Sequence, residues 1–246
     1  MIIQSNGIQY DLSDPIDISI PLHDGPNQLN CYYAPHFRID PVVSGNFIGD
    51  MRQGGLLNYK NVHLNPHGNG THTECLAHIT DTDLTINKAL KHFHFTAQLI
   101  TVNPAKTENG DSMITLAQLQ DLVLPKIEAL IIRTMPNPSD KRSRNYNKTN
   151  PPYLEAAAAT FIRKKNIDHL LVDLPSLDRE EDGGLLAAHK AFWNLPDQPR
   201  TGSTITELIY VPNTIEDGLY LLNLQIAGFE MDATPSKPVL YRRQMI

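Results

Sequence analysis

A mixed α/β fold, with a strand-rich core and a few flanking helices, is predicted by three features of the chain. Many short segments alternate apolar and polar residues, the two-residue period of a half-buried strand. One strand–helix–strand unit is legible between Ala129 and Asp173, and such a unit favours a mixed fold over an all-β sandwich. No internal repeat or long linker interrupts the 246 residues, so a single domain over 1–246 is expected.

The elements follow in chain order. Residues 8–12 and 16–20 alternate and read as strands, and 62–65 alternates as it leads into a cluster of histidines. Residues 91–95 alternate like an edge strand with His92 and His94 outward, and 97–102 is a compact apolar run stopped by Asn103-Pro104. Thr115 with Gln118 three residues on is a capping-box pattern, predicting a helix to about Leu124. Residues 129–133 read as a buried strand, followed by a Pro/Asn-rich loop over 135–152. Pro152, a residue favoured in a first helical turn, is expected to open the clearest helix. That helix is alanine-rich and ends in Arg163-Lys164-Lys165, cations that complement the helix dipole. A strand over 169–173 is closed by Leu174-Pro175-Ser176. A short helix over 185–193 and strands over 205–211, 219–226 and 239–242 complete the chain.

Composition narrows the function. The net charge is −6, whereas nucleic-acid binders usually present a basic face to phosphates. The densest basic stretch, Lys141-Arg142-Ser143-Arg144 with Lys148, reads as a solvated loop. No apolar run approaches the ~18 residues of a membrane span, and the N-terminus has no signal-peptide pattern. A small-molecule partner is therefore expected, with neither nucleic acid nor membrane. Cys31 and Cys75 are the two cysteines, too few for a disulfide scaffold or a Cys-rich zinc site. They read as free thiols in a reducing compartment, which makes the cytoplasm the default location.

Histidine is the anomaly. Six of the ten (His63, His67, His72, His78, His92, His94) fall within 63–94, where even spacing would place about one. The segment from His67 to His78 reads His-Gly-Asn-Gly-Thr-His-Thr-Glu-Cys-Leu-Ala-His. Imidazole and carboxylate suit Zn²⁺ and Mn²⁺. His72 and Glu74 are two apart and project on one face of an extended chain, and Gly68 and Gly70 permit a turn that brings His67 back towards them. Such a trio leaves positions open for water and substrate. His78 reads either as a further ligand or as a proton-transfer group, for which an ordinary pKa near 6.5 is suited. Cys75 reads as a small buried residue rather than a nucleophile. His23, His36, His92, His94 and His169 read as surface or core residues, and His63 stands between the two readings.

At these residues the chain resembles the cyclase family of metal-dependent hydrolases, which includes isatin hydrolase and bacterial kynurenine formamidase (arylformamidase), an enzyme of tryptophan catabolism to kynurenine. The family pattern His-x-Gly-Thr-His-x-Asp-x-Pro-x-His is matched by the segment His67 to His78. A second block, Asp173-Leu174-Pro175-Ser176-Leu177-Asp178 and then Ala188-His189, resembles the family's Asp-x-Pro-Ser-x-Asp run and its following histidine. Thr206-Glu207-Leu208 resembles a third block with a ligand glutamate, and the stretch from Pro238 to Arg242 resembles the family's last strand. The resemblance implies a swivelling β/β/α-type fold and one or two divalent ions, Zn or Mn. It implies that His67, His72 and Glu74 hold the first ion, and that His72 or Glu74 is shared with a second held by His189 and Glu207. His78 takes the place of the catalytic histidine, and a homo-oligomer, dimer or tetramer, is implied. Three departures mark a divergent member: one residue is inserted so that the first two histidines are spaced by five positions rather than four, Glu74 replaces an aspartate, and Leu76 replaces a proline.

The expected function is metal-dependent hydrolysis of an amide or a cyclic amide or ester, of arylformamidase type. A catalytic metal lowers the pKa of bound water from 15.7 towards ~7, and His78 carries the proton to the leaving group. The rivals are a family member that binds metal or ligand without turnover, and a metal-dependent lyase or cyclase. Phe47, Tyr59, Phe93, Phe192 and Trp193 could line an aryl pocket, though each reads more readily as core packing.

Overall fold

The computed structural model describes residues 1–5 and 7–244. Seven strands form a ring: β1 (His72–Glu74), β2 (His94–Val102), β3 (Ala129–Thr134), β4 (His169–Val172), β5 (Thr204–Glu207), β6 (Gly218–Ile226) and β7 (Ala233–Arg242). Their spatial order is β6-β2-β3-β4-β5-β1-β7, and β7 pairs back onto β6, so the sheet closes into a barrel. The run β2-β3-β4-β5 is parallel, and the remaining pairings are antiparallel. The helices are α1 (Pro66–Asn69), α2 (Ile86–Ala89), α3 (Leu116–Gln120), α4 (Ala156–Lys164) and α5 (Ala187–Trp193). The mixed, strand-rich α/β class is as the sequence predicts.

The parallel run is apolar on both faces because both faces are covered. Ala129 and Ile131 of β3 pack with Leu99, Leu171 and Leu222 inside the ring. Leu130 and Ile132 point the other way, onto Ala158 and Ile162 of α4 and Phe192 and Trp193 of α5. This parity decides where the chemistry lies. Ile205 of β5 belongs to the helix-facing layer, and it is in register with Glu74 of β1 while Glu207 is in register with His72. His72, Glu74 and Glu207 therefore share the side that α5 covers. Thr73 and Thr206 take the opposite side, where their hydroxyls meet at 2.8 Å.

Several boundaries differ from the sequence reading. Pro152 does not open a helix: Tyr153–Leu154 is a short strand parallel to Ser112–Ile114, and α4 begins at Ala156. Pairing of Leu154 with the Leu177 carbonyl holds that stretch extended. The Thr115–Gln118 capping box forms, but α3 stops at Gln120. The strand expected to 211 ends at Glu207, because Leu208 turns the chain at φ 57°. The strand expected over 16–20 is two residues long, and the last strand starts earlier, at Ala233. The basic stretch is not a solvated run throughout. Lys141 is buried and donates to Asp173 at 2.8 Å, and Arg144 pairs with Asp140.

His169, on β4, illustrates what burial does to a titrating group. It is 5% exposed, with Nδ1 2.9 Å from the Thr204 hydroxyl and its ring against Phe95. Burial pushes its pKa down to about 4. The unfolded chain therefore binds a proton near pH 6.5 that the native chain accepts only near pH 4. The stability due to neutral His169 is complete above pH 6.5 and is lost as the pH falls from there to 4, by about 3 kcal/mol. His169→Gln is expected to flatten the fall of Tm between pH 6.5 and 4, measured in excess chelator. Parallel curves for variant and wild type would refute this.

Candidate metal centre

Each functional side chain is placed by a local device. Asn65 caps α1 by accepting from the Gly68 N–H at 3.0 Å, and this single helical turn carries His67 over β1. Gly68 is required by close approach rather than by a turn: a Cβ there would sit 2.2 Å from the Ala34 Cβ. Gly70 is extended, at φ 170°. The extra residue between His67 and His72 is thus taken up in the helical turn, and the two rings still meet edge to face at 5.1 Å. On the facing wall, Asp178 accepts from the Ala188 and His189 N–H groups and so caps α5. The same carboxylate meets His189 Nδ1 at 2.6 Å.

The hydrogen bonds decide which imidazole nitrogen is free. His72 Nδ1 donates to the Gly70 carbonyl, which leaves Nε2 facing Glu207 Oε2 at 3.4 Å. With Nδ1 held by Asp178, His189 directs Nε2 to Glu74 Oε1 at 3.2 Å and Glu207 Oε1 at 3.6 Å. His67 meets Asp232 through Nε2 at 2.9 Å and lies 3.1 Å from Glu74 Oε2 through Nδ1. The five sequence-predicted ligands, His67, His72, Glu74, His189 and Glu207, therefore converge on one volume. A carboxylate or carbonyl holding the outer nitrogen of each ring is the arrangement that orients metal-binding histidines.

The charges fit a cation. Glu74 is fully buried, and burial pushes its carboxyl up, but His78, His189 and His67 outweigh that and hold it well below the usual range. Burial also works against a proton on His67, yet Asp232 and Glu74 raise it to about 10. His189 is likewise raised, by Asp178 and the two glutamates against its burial. His72 Nε2 and Glu74 Oε2 are buried with no hydrogen-bond partner. Buried polar atoms left so are costly, and both are donor atoms that Zn²⁺ or Mn²⁺ accepts. The ligand atoms of His67, His72 and Glu74 lie within 4.8 Å of one another, as do those of Glu74, His78 and His189. The residues present fit a divalent ion.

His78, which belongs to the second of these groups, is its most exposed member. Its side chain is 31% exposed, its ring stacks on His67 at 4.2 Å, and its Nε2 lies 3.7 Å from Glu74 Oε2. The site opens into a cavity of about 320 Å³ whose wall includes Tyr32, Asn65, His78, Ser176, Arg179 and Leu186. None of the five aromatic candidates lines it. Phe192 and Trp193 are sealed in the core, Phe93 packs against the barrel interior, and Phe47 and Tyr59 meet edge to face on an exposed arm. The aromatic wall is Tyr32, held with Tyr33 in the left-handed region at φ 53°. Strain of that kind is concentrated at functional loops. Arg179 is committed to Asp111 at 2.9 Å.

His63 lies apart, paired with Asp40. Cys75 is buried, and burial raises its thiol to about 11, as befits an inert residue. Two functional residues escape sequence reasoning. Asp178 stands in the second block, where its spacing to His189 is the available signal. Asp232, 165 residues from His67, has none.

Comparison with known proteins follows the same pattern. The family model described as "Putative cyclase" matches residues 10–179. Kynurenine formamidase of Bacillus cytotoxicus is 27% identical over 231 residues, covering 93% of this chain and 97% of that protein. Among solved structures, an isatin hydrolase aligns with TM-score 0.69 at 15% identity, covering 94% of this chain and 93% of that one. A predicted metal-dependent hydrolase from Bacillus stearothermophilus aligns with TM-score 0.64 at 16% identity, covering 93% and 98%. These structural likenesses establish a shared fold.

Proposed function

The chain belongs to the cyclase family, and from that membership we propose a metal-dependent hydrolase of C–N bonds other than peptide bonds, of arylformamidase type. The observation that carries this reading is the convergence of three imidazoles and two carboxylates at the base of a cavity, with a further imidazole beside them at the opening. His67, His72, Glu74, His189 and Glu207 would hold one or two ions of Zn or Mn. A divalent ion there supplies a Lewis acid and water acidified towards neutral pH.

The chain's own residues do the rest. His78, at the cavity wall, takes a proton from the attacking water as its oxygen bonds to the substrate carbonyl carbon. The same imidazole returns that proton to the nitrogen as the C–N bond breaks, which gives a carboxylic acid and an amine. Tyr32 offers a flat wall for an aryl group on that nitrogen, and a cavity of about 320 Å³ suits a small molecule. The amide class follows the kynurenine formamidases and the isatin hydrolase that the chain resembles. The binding-only and lyase readings have no observation in their favour.

The test is elemental analysis of the purified protein together with turnover of N-formylkynurenine and of isatin. Bound Zn or Mn is expected, with hydrolysis abolished by chelator and restored by the metal. Hydrolysis intact in a metal-free protein would falsify the reading. Oxygen from ¹⁸O-water must enter the product; its absence would favour the lyase.

Residues 1–246 are taken as one domain. The two free, buried thiols suit a reducing compartment, and a cytoplasmic location is proposed with them; no described helix is long and apolar enough to cross a membrane. A homo-oligomer, dimer or tetramer, is also proposed. Its support is an arm over 38–63 that exposes Phe47, Met51, Leu56, Tyr59 and Val62, an apolar surface of the kind that marks interfaces. Sedimentation velocity is expected to give twice or four times the chain mass; a single-chain mass at micromolar concentration would refute it.

A further inference from the structure

We propose that Asp232 is the positioning residue for His78, fixing its tautomer and ring orientation so that Nε2 faces the reacting atoms. The inference rests on the reading of His78 as the proton carrier.

The backbone places Asp232 before its side chain does anything. Ala233, the first residue of β7, is in register with Glu74. The Asp232 carbonyl accepts the Cys75 N–H at 3.0 Å, and the Met231 carbonyl accepts the Ile86 N–H at 2.8 Å. Glu230 is held by Thr85 and Asn87. The segment is thus clamped on both sides, and barrel closure sets its carboxylate beside the histidine segment.

One oxygen of that carboxylate, Oδ2, receives both His67 Nε2 at 2.9 Å and His78 Nδ1 at 3.3 Å. An ionised carboxylate only accepts, so both nitrogens carry their protons. With the proton on Nδ1, the lone pair of His78 is on Nε2, the nitrogen nearer Glu74. Among the described residues this is the one hydrogen bond the His78 ring makes. The ring otherwise rests on its stack with His67, and it sits on a short 3₁₀ turn, Leu76–Ile79, open to solvent. Its pose therefore depends on Asp232. Serving His67 as well, the carboxylate ties a candidate metal ligand and the proton carrier to one anchor.

His67, His78 and Asp232 also lie close enough to hold an ion themselves, so the experiment must separate anchor from ligand. The set is wild type, Asp232→Ala, Asp232→Asn, His78→Ala and the double variant His78→Ala/Asp232→Ala. Each is assayed for N-formylkynurenine hydrolysis and metal content. At saturating metal, so that any weaker hold through His67 is made good, Asp232→Ala is expected to lower kcat about 10- to 100-fold with KM unchanged. In the His78→Ala background, again at saturating metal, the same change is expected to cost nothing further, because its effect on the rate passes through the His78 ring. Imidazole ¹⁵N spectra of chelator-treated protein give a readout independent of turnover. They are expected to show His78 with its proton on Nδ1 in wild type, and a mixture of tautomers in Asp232→Ala and Asp232→Asn.

Loss of metal in Asp232→Ala that added metal does not restore, with an equal further loss of rate in the double variant, would make Asp232 a ligand and overturn the inference. Wild-type kcat in both Asp232 variants, or an unchanged tautomer, would overturn it too. Full activity in His78→Ala would instead sink the reading of His78 as proton carrier, while the spectra still report whether Asp232 sets its tautomer.

Discussion

Glu74→Gln is expected to lower kcat/KM by at least about 10³-fold, roughly 4 kcal/mol of transition-state stabilisation, and to leave the purified protein without its metal. The carboxylate is fully buried, with Oε1 3.2 Å from His189 and Oε2 3.1 Å from His67 and 3.7 Å from His78. It belongs to two of the three candidate ligand groups among the described residues and is the carboxylate they share. Glutamine keeps the volume and the extended backbone of β1, so packing is hardly disturbed. What changes is charge: a neutral amide replaces the anion that the surrounding imidazoles stabilise. Its NH₂ also puts a donor where the carboxylate offered a metal-binding oxygen. Elemental analysis with steady-state kinetics decides the matter. Metal at wild-type stoichiometry and a rate within threefold of wild type would remove Glu74 from the centre.

The position of Glu74 also shows why part of this site can be read in the sequence. A strand places residues i and i+2 on one face, so His72 and Glu74 had to project together. The register of β5 against β1 then adds Glu207 to the same face. His189 was reachable through its block because Asp178 both starts α5 and turns the ring inward. Asp232 was not, since it is brought to the site only when β7 closes the barrel against β1 and β6. Closure of that kind is a property of pairing between distant strands, and no local pattern encodes it. The strand–helix–strand unit was legible because its apolar faces repeat with the right periods. The start of α4 was misplaced because a tertiary contact, Leu154 with Leu177, outweighs the preference of proline for a first turn. Tyr32, the aromatic wall, escaped for a related reason. Composition names the aromatic residues available, whereas burial decides which of them are core, and Tyr32 reaches the cavity through a strained loop with no periodic signal.

His78→Ala is expected to lower kcat by about 10²- to 10⁴-fold while metal content and folding stay intact, the opposite pairing of effects from that expected for Glu74. The difference follows from where the two side chains sit. Glu74 is enclosed, whereas the His78 ring is 31% exposed and is tied by a single hydrogen bond. Its removal leaves a space that water can fill and no buried donor stranded. Only the stack with His67 and one acceptor contact to Asp232 are lost, and Asp232 keeps His67. The step that suffers is proton transfer, so added imidazole should restore part of the rate in proportion to its free-base concentration, since a small molecule can enter the vacated space from the cavity. Rescue of this sort is a property of a missing proton carrier and not of a missing ligand. If His78→Ala instead purifies without metal, His78 belongs with Glu74 and His189 in the ligand group, and the proton must be carried by another residue of the cavity.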